Sequence, residues 1–265
     1  MKYSGPLRKM ESQLEQEIHY QLPIGEELVN MNELIGTEIT LNYQHKILCK
    51  ECGRETVKSF NQGFCYPCFK NSPSAAEWII HPELSKAHLD IEDRDLEFEK
   101  SVQLKPHIVY LSLTSGVKVG ITRGTQVPTR WIDQGAVKAI KLAETPNRYL
   151  AGMIEVSLKA HLADKTNWRQ MLTNVFPDVD LIDEKHKVID LLDKEYQQYV
   201  PQQDEIIDLN YPVIEYPVKL KSIGFDKVPE YSGKLMGIKG QYLMFANGIV
   251  LNVRKHEGYV VQLEF

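Results

Sequence analysis

Four cysteines carry the clearest chemistry in this sequence. They fall as Cys49-x2-Cys52 and Cys65-x2-Cys68, with Gly53 after the first pair. Each pair bends the chain so that both sulfurs point at one ion. The stretch between the pairs can return as a hairpin, with Gln62-Gly63 as its bend. The set reads as a tetrahedral zinc site of structural kind, since four thiolates leave no open coordination position for catalysis. Two disulfides are the alternative, and they need an oxidising compartment. The first residues, from Met1-Lys2-Tyr3, lack the apolar core of a secretory signal, so a cytoplasmic protein with reduced thiols is expected.

A second set lies between His107 and Arg169. Tyr110, Lys118, Arg130, Gln134 and Glu155 bring together a phenol, three groups suited to phosphate or amide contacts, and a carboxylate. The elements that must hold these groups follow from periodicity. Tyr110 and Ser112 share one strand face, and Val109, Leu111 and Leu113 share the other. Thr114-Ser115-Gly116 closes a hairpin, after which Val117, Val119 and Ile121 face the core. If Leu113 pairs with Val117, Tyr110 lies opposite Gly120 and diagonal to Lys118. Without a side chain at Gly120, a phosphate would have room to approach the tyrosine hydroxyl. An amphipathic hairpin with ordinary solvent-facing polar groups fits the same pattern.

Pro128 is expected to start a helix that puts Arg130 and Gln134 on one face, four residues apart. Tyr149 to Ala163 reads as a further helix with Leu150, Ile154, Leu158 and Leu162 in its apolar stripe. Glu155 borders that stripe. A partly buried carboxylate there suits a magnesium ligand, although an i, i+4 pair with Lys159 accounts for it equally.

In order and spacing, Ile108-Val109-Tyr110, then Lys118-Val119-Gly120-Ile121-Thr122, then Arg130 and Glu155 resemble the core of GIY-YIG nucleases. The resemblance implies Tyr110 as general base, Arg130 as charge clamp and Glu155 as ligand of a catalytic Mg2+ or Mn2+. It departs from the family at Lys118, where the second tyrosine belongs, and at Gln134, where histidine is usual. A lysine at 118 would donate to phosphate or, if desolvated, act as base; it would equally mark an enzyme that has lost catalysis. Asn167 stands where family members often carry a structural or phosphate-facing asparagine. With the cysteine module, the strings Gln62 to Phe69, Lys118 to Arg123, Arg130 to Gly135 and Asp164 to Arg169 also resemble an uncharacterised bacterial and archaeal family known only as a domain of unknown function.

The chain of 265 residues carries a net charge of -5, which argues against indiscriminate nucleic-acid binding. Residues 101–175 run the other way, with ten basic residues against four acidic ones. The acidic stretches lie on either side and read as solvated faces or linkers. No apolar run reaches the length of a membrane span. The expected fold class is α+β and multidomain. Residues 1–48 form an N-terminal β segment, and 49–100 a treble-clef-like or ribbon-like zinc module with an acidic connector. Residues 101–175 form the GIY-YIG-like domain with a small mixed sheet, and 176–210 an acidic helix and linker. Residues 211–265 form a C-terminal β module. Within these, Ser74 and Glu77 read as a capping box opening a helix, Leu181 to Tyr199 as a helix, and Ile214 to Leu220 as the first strand of the last module. The two ends are expected to pair into a small barrel, OB-like, with Asn247-Gly248 as a hairpin turn. The function expected is a divalent-metal-dependent nuclease acting on DNA or RNA. The alternatives are an inactive zinc-containing nucleic-acid-binding protein and a protein-interaction scaffold.

Overall fold

The computed structural model describes residues 1–162 and 166–265; Ala163, Asp164 and Lys165, which belong to the expected helix and to the Asp164-to-Arg169 string, lie outside the described residues. The chain forms two compact units, one of Met1–Ser72 with Asn210–Phe265 and one of Pro73–Leu209. The first unit begins with β1 (Lys2–Pro6), β2 (Glu11–Gln13), β3 (His19–Ile24), β4 (Glu27–Asn30), β5 (Glu38–Leu48), β6 (Glu55–Thr56) and α1 (Tyr66–Asn71). The second holds α2 (Leu96–Gln103), β7 (His107–Leu113), β8 (Val117–Arg123), α3 (Thr129–Asp133), β9 (Lys138–Thr145) and α4 (Arg148–Leu158). It continues with α5 (Trp168–Leu172), α6 (Leu181–Ile189), α7 (Lys194–Gln197) and β10 (Ile206–Asp208). The chain then returns to the first unit with β11 (Lys221–Ile223), β12 (Glu230–Lys239), β13 (Tyr242–Phe245), β14 (Ile249–Asn252) and β15 (Tyr259–Glu264).

In the first unit the ends of the chain do pair. The sheet runs β1-β15-β5-β12-β13-β14-β11, with β6 added beside β5, and a smaller sheet runs β2-β3-β4. The expected barrel is not formed: β1 and the three-residue β11 end the path at opposite edges, and closure would need those edges to meet. Between β13 and β14, Asn247 and Gly248 both take positive φ, 61° and 71°, the backbone that a tight hairpin turn of this kind demands. The strand expected from Ile214 is replaced by a single bridge, Val213 to Gly237. Ile214 N–H still donates to Met236 O, and Pro217, which has no N–H to give to a ladder, stands in the unpaired stretch that follows.

In the second unit the sheet order is β10-β9-β7-β8. Leu113 pairs with Val117, Ser112 with Lys118 and Tyr110 with Gly120. Val109, Leu111, Leu113 and Val119 form a core with Ala151, Ile154 and Leu158 of α4 and Leu181 and Val188 of α6. The other face of the hairpin is not open to solvent as its polar residues suggested. Tyr110, Ser112, Lys118 and Thr122 are all buried, and α3 brings Trp131 edge-on to the Tyr110 ring, centroids 5.7 Å apart.

Three helical expectations change. α4 is capped by the Asn147 side chain and stops at Leu158, where the Lys159 N–H is shared between Glu155 O and Val156 O. The expected helix from Leu181 to Tyr199 is two, α6 and α7, the second opening after Asp193. Around Ser74 and Glu77 there are short 3-10 turns, Pro73–Ala75 and Glu77–Ile79. The carbonyl of Trp78 would need the N–H of residue 82 to continue an α-helix, and Pro82 has none. Among the described residues no helix is long and apolar enough to cross a membrane.

Candidate active site and metal centre

The four cysteine sulfurs lie within 4.8 Å of one another, and no pair is bonded as a disulfide. Cys52 Sγ and Cys65 Sγ are 3.8 Å apart. Thiolates about 2.3 Å from a central ion at tetrahedral angles are separated by about 3.8 Å, so the donor set fits an ion such as zinc. The backbone prepares the site. Cys49 N–H donates to Arg54 O and Gly53 N–H to Cys49 O, which closes the first knuckle. Phe60 and Phe64 exchange two backbone bonds across a bend at Asn61, Gln62 and Gly63, all at positive φ. The helix begins at the second pair rather than after it: Cys65 is extended, and α1 opens at Tyr66 with Pro67 in its first turn.

The thiols are poised unequally. Burial works against ionisation of Cys49, but backbone N–H groups outweigh it and hold the thiol below its usual range. Cys65 N–H donates to Cys49 Sγ at 3.2 Å. The Arg54 side chain donates to Cys52 Sγ and lowers that thiol to about 6. Cys68 is pushed up, by burial and by its neighbouring sulfurs. Binding an ion would remove this inequality, because all four must then be deprotonated.

In the second unit, the Tyr110 hydroxyl donates to Gln134 Oε1 at 2.9 Å and also meets the Arg130 side chain. Arg130 and Gln134 are thus brought to one point by α3 and the residue that ends it. Tyr110 is wholly buried, and burial raises its pKa against the opposing charge of Arg130. Gly120 does face it, but the space is taken: a Cβ on Gly120 would fall 2.7 Å from the Tyr110 hydroxyl oxygen. The glycine makes room for the tyrosine's own ring, so the expected approach of a phosphate over Gly120 is closed in this structure.

Glu155 is within electrostatic reach of Tyr110 and forms an ion pair with Lys159, 3.5 Å away. Its side chain is 13% exposed, and burial raises its carboxyl above the usual range. Two neighbours of Glu155 were not singled out as site residues in the sequence. Glu83, on a 3-10 turn at Pro82–Leu84, adds to the rise at Glu155, and its Oε2 is buried without a hydrogen-bond partner among the described residues. That turn lies hard against α4: a Cβ on Gly152 would come 2.5 Å from Glu83 N. Arg148 donates to Trp78 O at 3.2 Å and Ile79 O at 2.7 Å, and its guanidinium lies 5.6 Å from the Trp78 ring centre. Burial lowers it to about 10, with Glu155 opposing the shift and Arg123 and Arg130 adding to it. Arg130 and Glu155 act on Tyr110 directly, while Arg123, Arg130, Glu83 and Glu155 act on Arg148. Arg148 had a legible signal in the basic excess of the segment; Glu83 had none.

Lys118 is only 6% exposed and lies opposite Ser112, in the same closed layer as Tyr110. Asn167 is exposed, and its side chain caps α5, accepting from Arg169 N–H and Gln170 N–H. Nothing in this geometry brings Asn167 to Tyr110. The buried hydroxyls of Ser112 and Thr122 have no hydrogen-bond partner among the described residues, a situation that ordered water commonly resolves.

A family model described as a protein of unknown function, DUF2797, matches residues 36–261. The chain belongs to that family. The matched span takes in the four cysteines, the Tyr110 to Asn167 segment and all of β5 through β14. It leaves out β1 through β4, so the small β2-β3-β4 sheet lies outside the family's span. No curated protein and no solved structure gives a match to this chain.

Proposed function

We propose that this protein is a divalent-metal-dependent nuclease of GIY-YIG type, hydrolysing phosphodiester bonds of DNA or RNA, with a structural zinc ion in its four-cysteine module. The observation that carries the reading is the convergence of Arg130 and Gln134 on the Tyr110 hydroxyl, within the field of Glu155. Arg130, with Arg123 and Arg148 nearby, would hold the charge of a phosphate. Glu155, with Glu83 beside it, would hold Mg2+ or Mn2+, which supplies charge neutralisation and a more acidic water. Tyr110, buried and neutral, would orient Arg130 rather than touch substrate.

That burial also favours a second reading, a zinc-containing protein that binds nucleic acid without cutting it. The two part on one experiment. Protein supplied with magnesium or manganese is incubated with single-stranded, duplex and branched DNA and RNA. Cleavage that Glu155→Ala abolishes, with the circular dichroism spectrum unchanged, supports the nuclease. No cleavage of any substrate, with binding that weakens as salt rises, sinks it in favour of the second reading.

A further inference from the structure

The four-cysteine module presents an aromatic surface that the metal site does not need. Phe60, from the hairpin strand, stacks on Phe69 with centroids 5.8 Å apart and planes at 18°. Tyr66 meets the same ring edge-on at 5.4 Å. Tyr66 and Phe69 are three residues apart on α1 and so share its face. These rings are not a closed core. Tyr66 is 54% exposed, Phe60 and Phe69 are half-buried, and neighbouring Val57 is fully exposed. The module's inward ring is Phe64, which is buried under Lys50.

Charge says what this surface would meet. Residues 46–72 carry five basic side chains, Lys46, Lys50, Arg54, Lys58 and Lys70, against Glu51, Glu55 and the two net negative charges of a dication held by four thiolates. Lys46 pairs with Glu55 and Lys50 with Glu257, so Lys58 and Lys70 are the cations beside the rings. Lys58 Nζ lies 5.1 Å from the centre of the Phe60 ring, and Lys70 follows Phe69 directly. Rings with flanking ammonium groups match a ligand that has flat apolar faces strung on an anionic backbone. In a duplex those faces are stacked on one another and cannot lie on a protein ring, whereas a single strand offers them freely.

We propose that Tyr66, set on the Phe60–Phe69 pair and flanked by Lys58 and Lys70, is a base-stacking platform for single-stranded nucleic acid. The platform stands on its own geometry and holds whether or not the site at Glu155 cuts. Fluorescence anisotropy with a labelled oligothymidylate, an oligouridylate and a duplex of equal length tests it on the full chain loaded with metal. Either single strand should bind more tightly than the duplex, and the binding should weaken with salt. Tyr66→Ala, at an exposed position, should weaken single-strand binding about tenfold, in the range for losing one stacked base, with metal content unchanged. Phe60→Leu keeps an apolar contact but removes the ring, and should weaken it similarly. The titrations are run without added magnesium or manganese, so that binding at the platform is read apart from the proposed cleavage. Duplex binding equal to single-strand binding, no binding at all, or wild-type affinity in metal-loaded Tyr66→Ala would each overturn the proposal.

Discussion

Replacing Gly120 with alanine tests whether the Tyr110 ring fills the space above the glycine. The added Cβ would lie 2.7 Å from the hydroxyl oxygen, 2.9 Å from Cζ and 3.3 Å from Cε2. The ring has little freedom to retreat. It is fully buried, its hydroxyl is bonded to Gln134, and Trp131 stands against it. Overpacking of this kind costs about 1–3 kcal/mol, while stiffening the unfolded chain by Gly→Ala returns about 0.4–1 kcal/mol. The net loss should be about 1–2 kcal/mol. Because the shortest contact is to the hydroxyl, Tyr110→Phe should relieve part of it, so the double variant should lose at least about 0.5 kcal/mol less than the two single losses summed. Urea unfolding followed by tryptophan fluorescence measures this in the right unit, since Trp78, Trp131 and Trp168 all fall within Pro73–Leu209. Wild-type stability in Gly120→Ala, or strict additivity in the cycle, would refute the packing described.

Two further outcomes are expected. Cys49→Ser should lose about one equivalent of zinc by metal analysis, together with the order of the module, because metal binding and folding are one equilibrium at such sites; retention of a full equivalent would show that the four thiolates are not the ligands. Stability of the second unit should fall as pH drops from about 6.5 toward 4, because burial pushes the His107 imidazole down to about 4 while the unfolded chain titrates near 6.5. The contribution is therefore present above pH 6.5 and lost below it, amounting to about 3 kcal/mol, whereas the raised carboxyl of Glu155 acts in the opposite direction. His107→Asn should flatten the fall, and an unchanged slope would count against the assignment.

What could be read in advance was local. The register of the β7–β8 hairpin followed from alternation and a three-residue loop, the β13–β14 turn from Asn247-Gly248, and the thiolate cluster from two CxxC pairs. The rest depended on what lies across space. Alternation says which face Tyr110 is on but not that a five-residue helix covers it. Strand β3 alternates Tyr20, Leu22 and Ile24 inward, yet Pro23 in its interior argues against a strand. Glu83 lies far in sequence from Glu155, on a turn with no periodicity of its own. Only the close approach of that turn to Gly152 brings the two carboxylates together.

The two departures from the nuclease pattern, Lys118 and Gln134, both fall in the layer around Tyr110 and not among the half-buried charges. Gln134 turns its Oε1 to the tyrosine and accepts a hydrogen bond there. In this arrangement the phenol is the donor, and burial holds its pKa up against the opposing effects of Arg130 and of the Gln134 bond. The Tyr110–Gln134 bond thus joins a buried phenol to an amide that carries no charge. Under the proposed function, a phosphate would meet Arg130 and Glu155 first, with Tyr110 behind Arg130 holding it in place. The substitutions then bear on how the arginine is positioned, and leave in place the groups that would hold a metal ion and a phosphate.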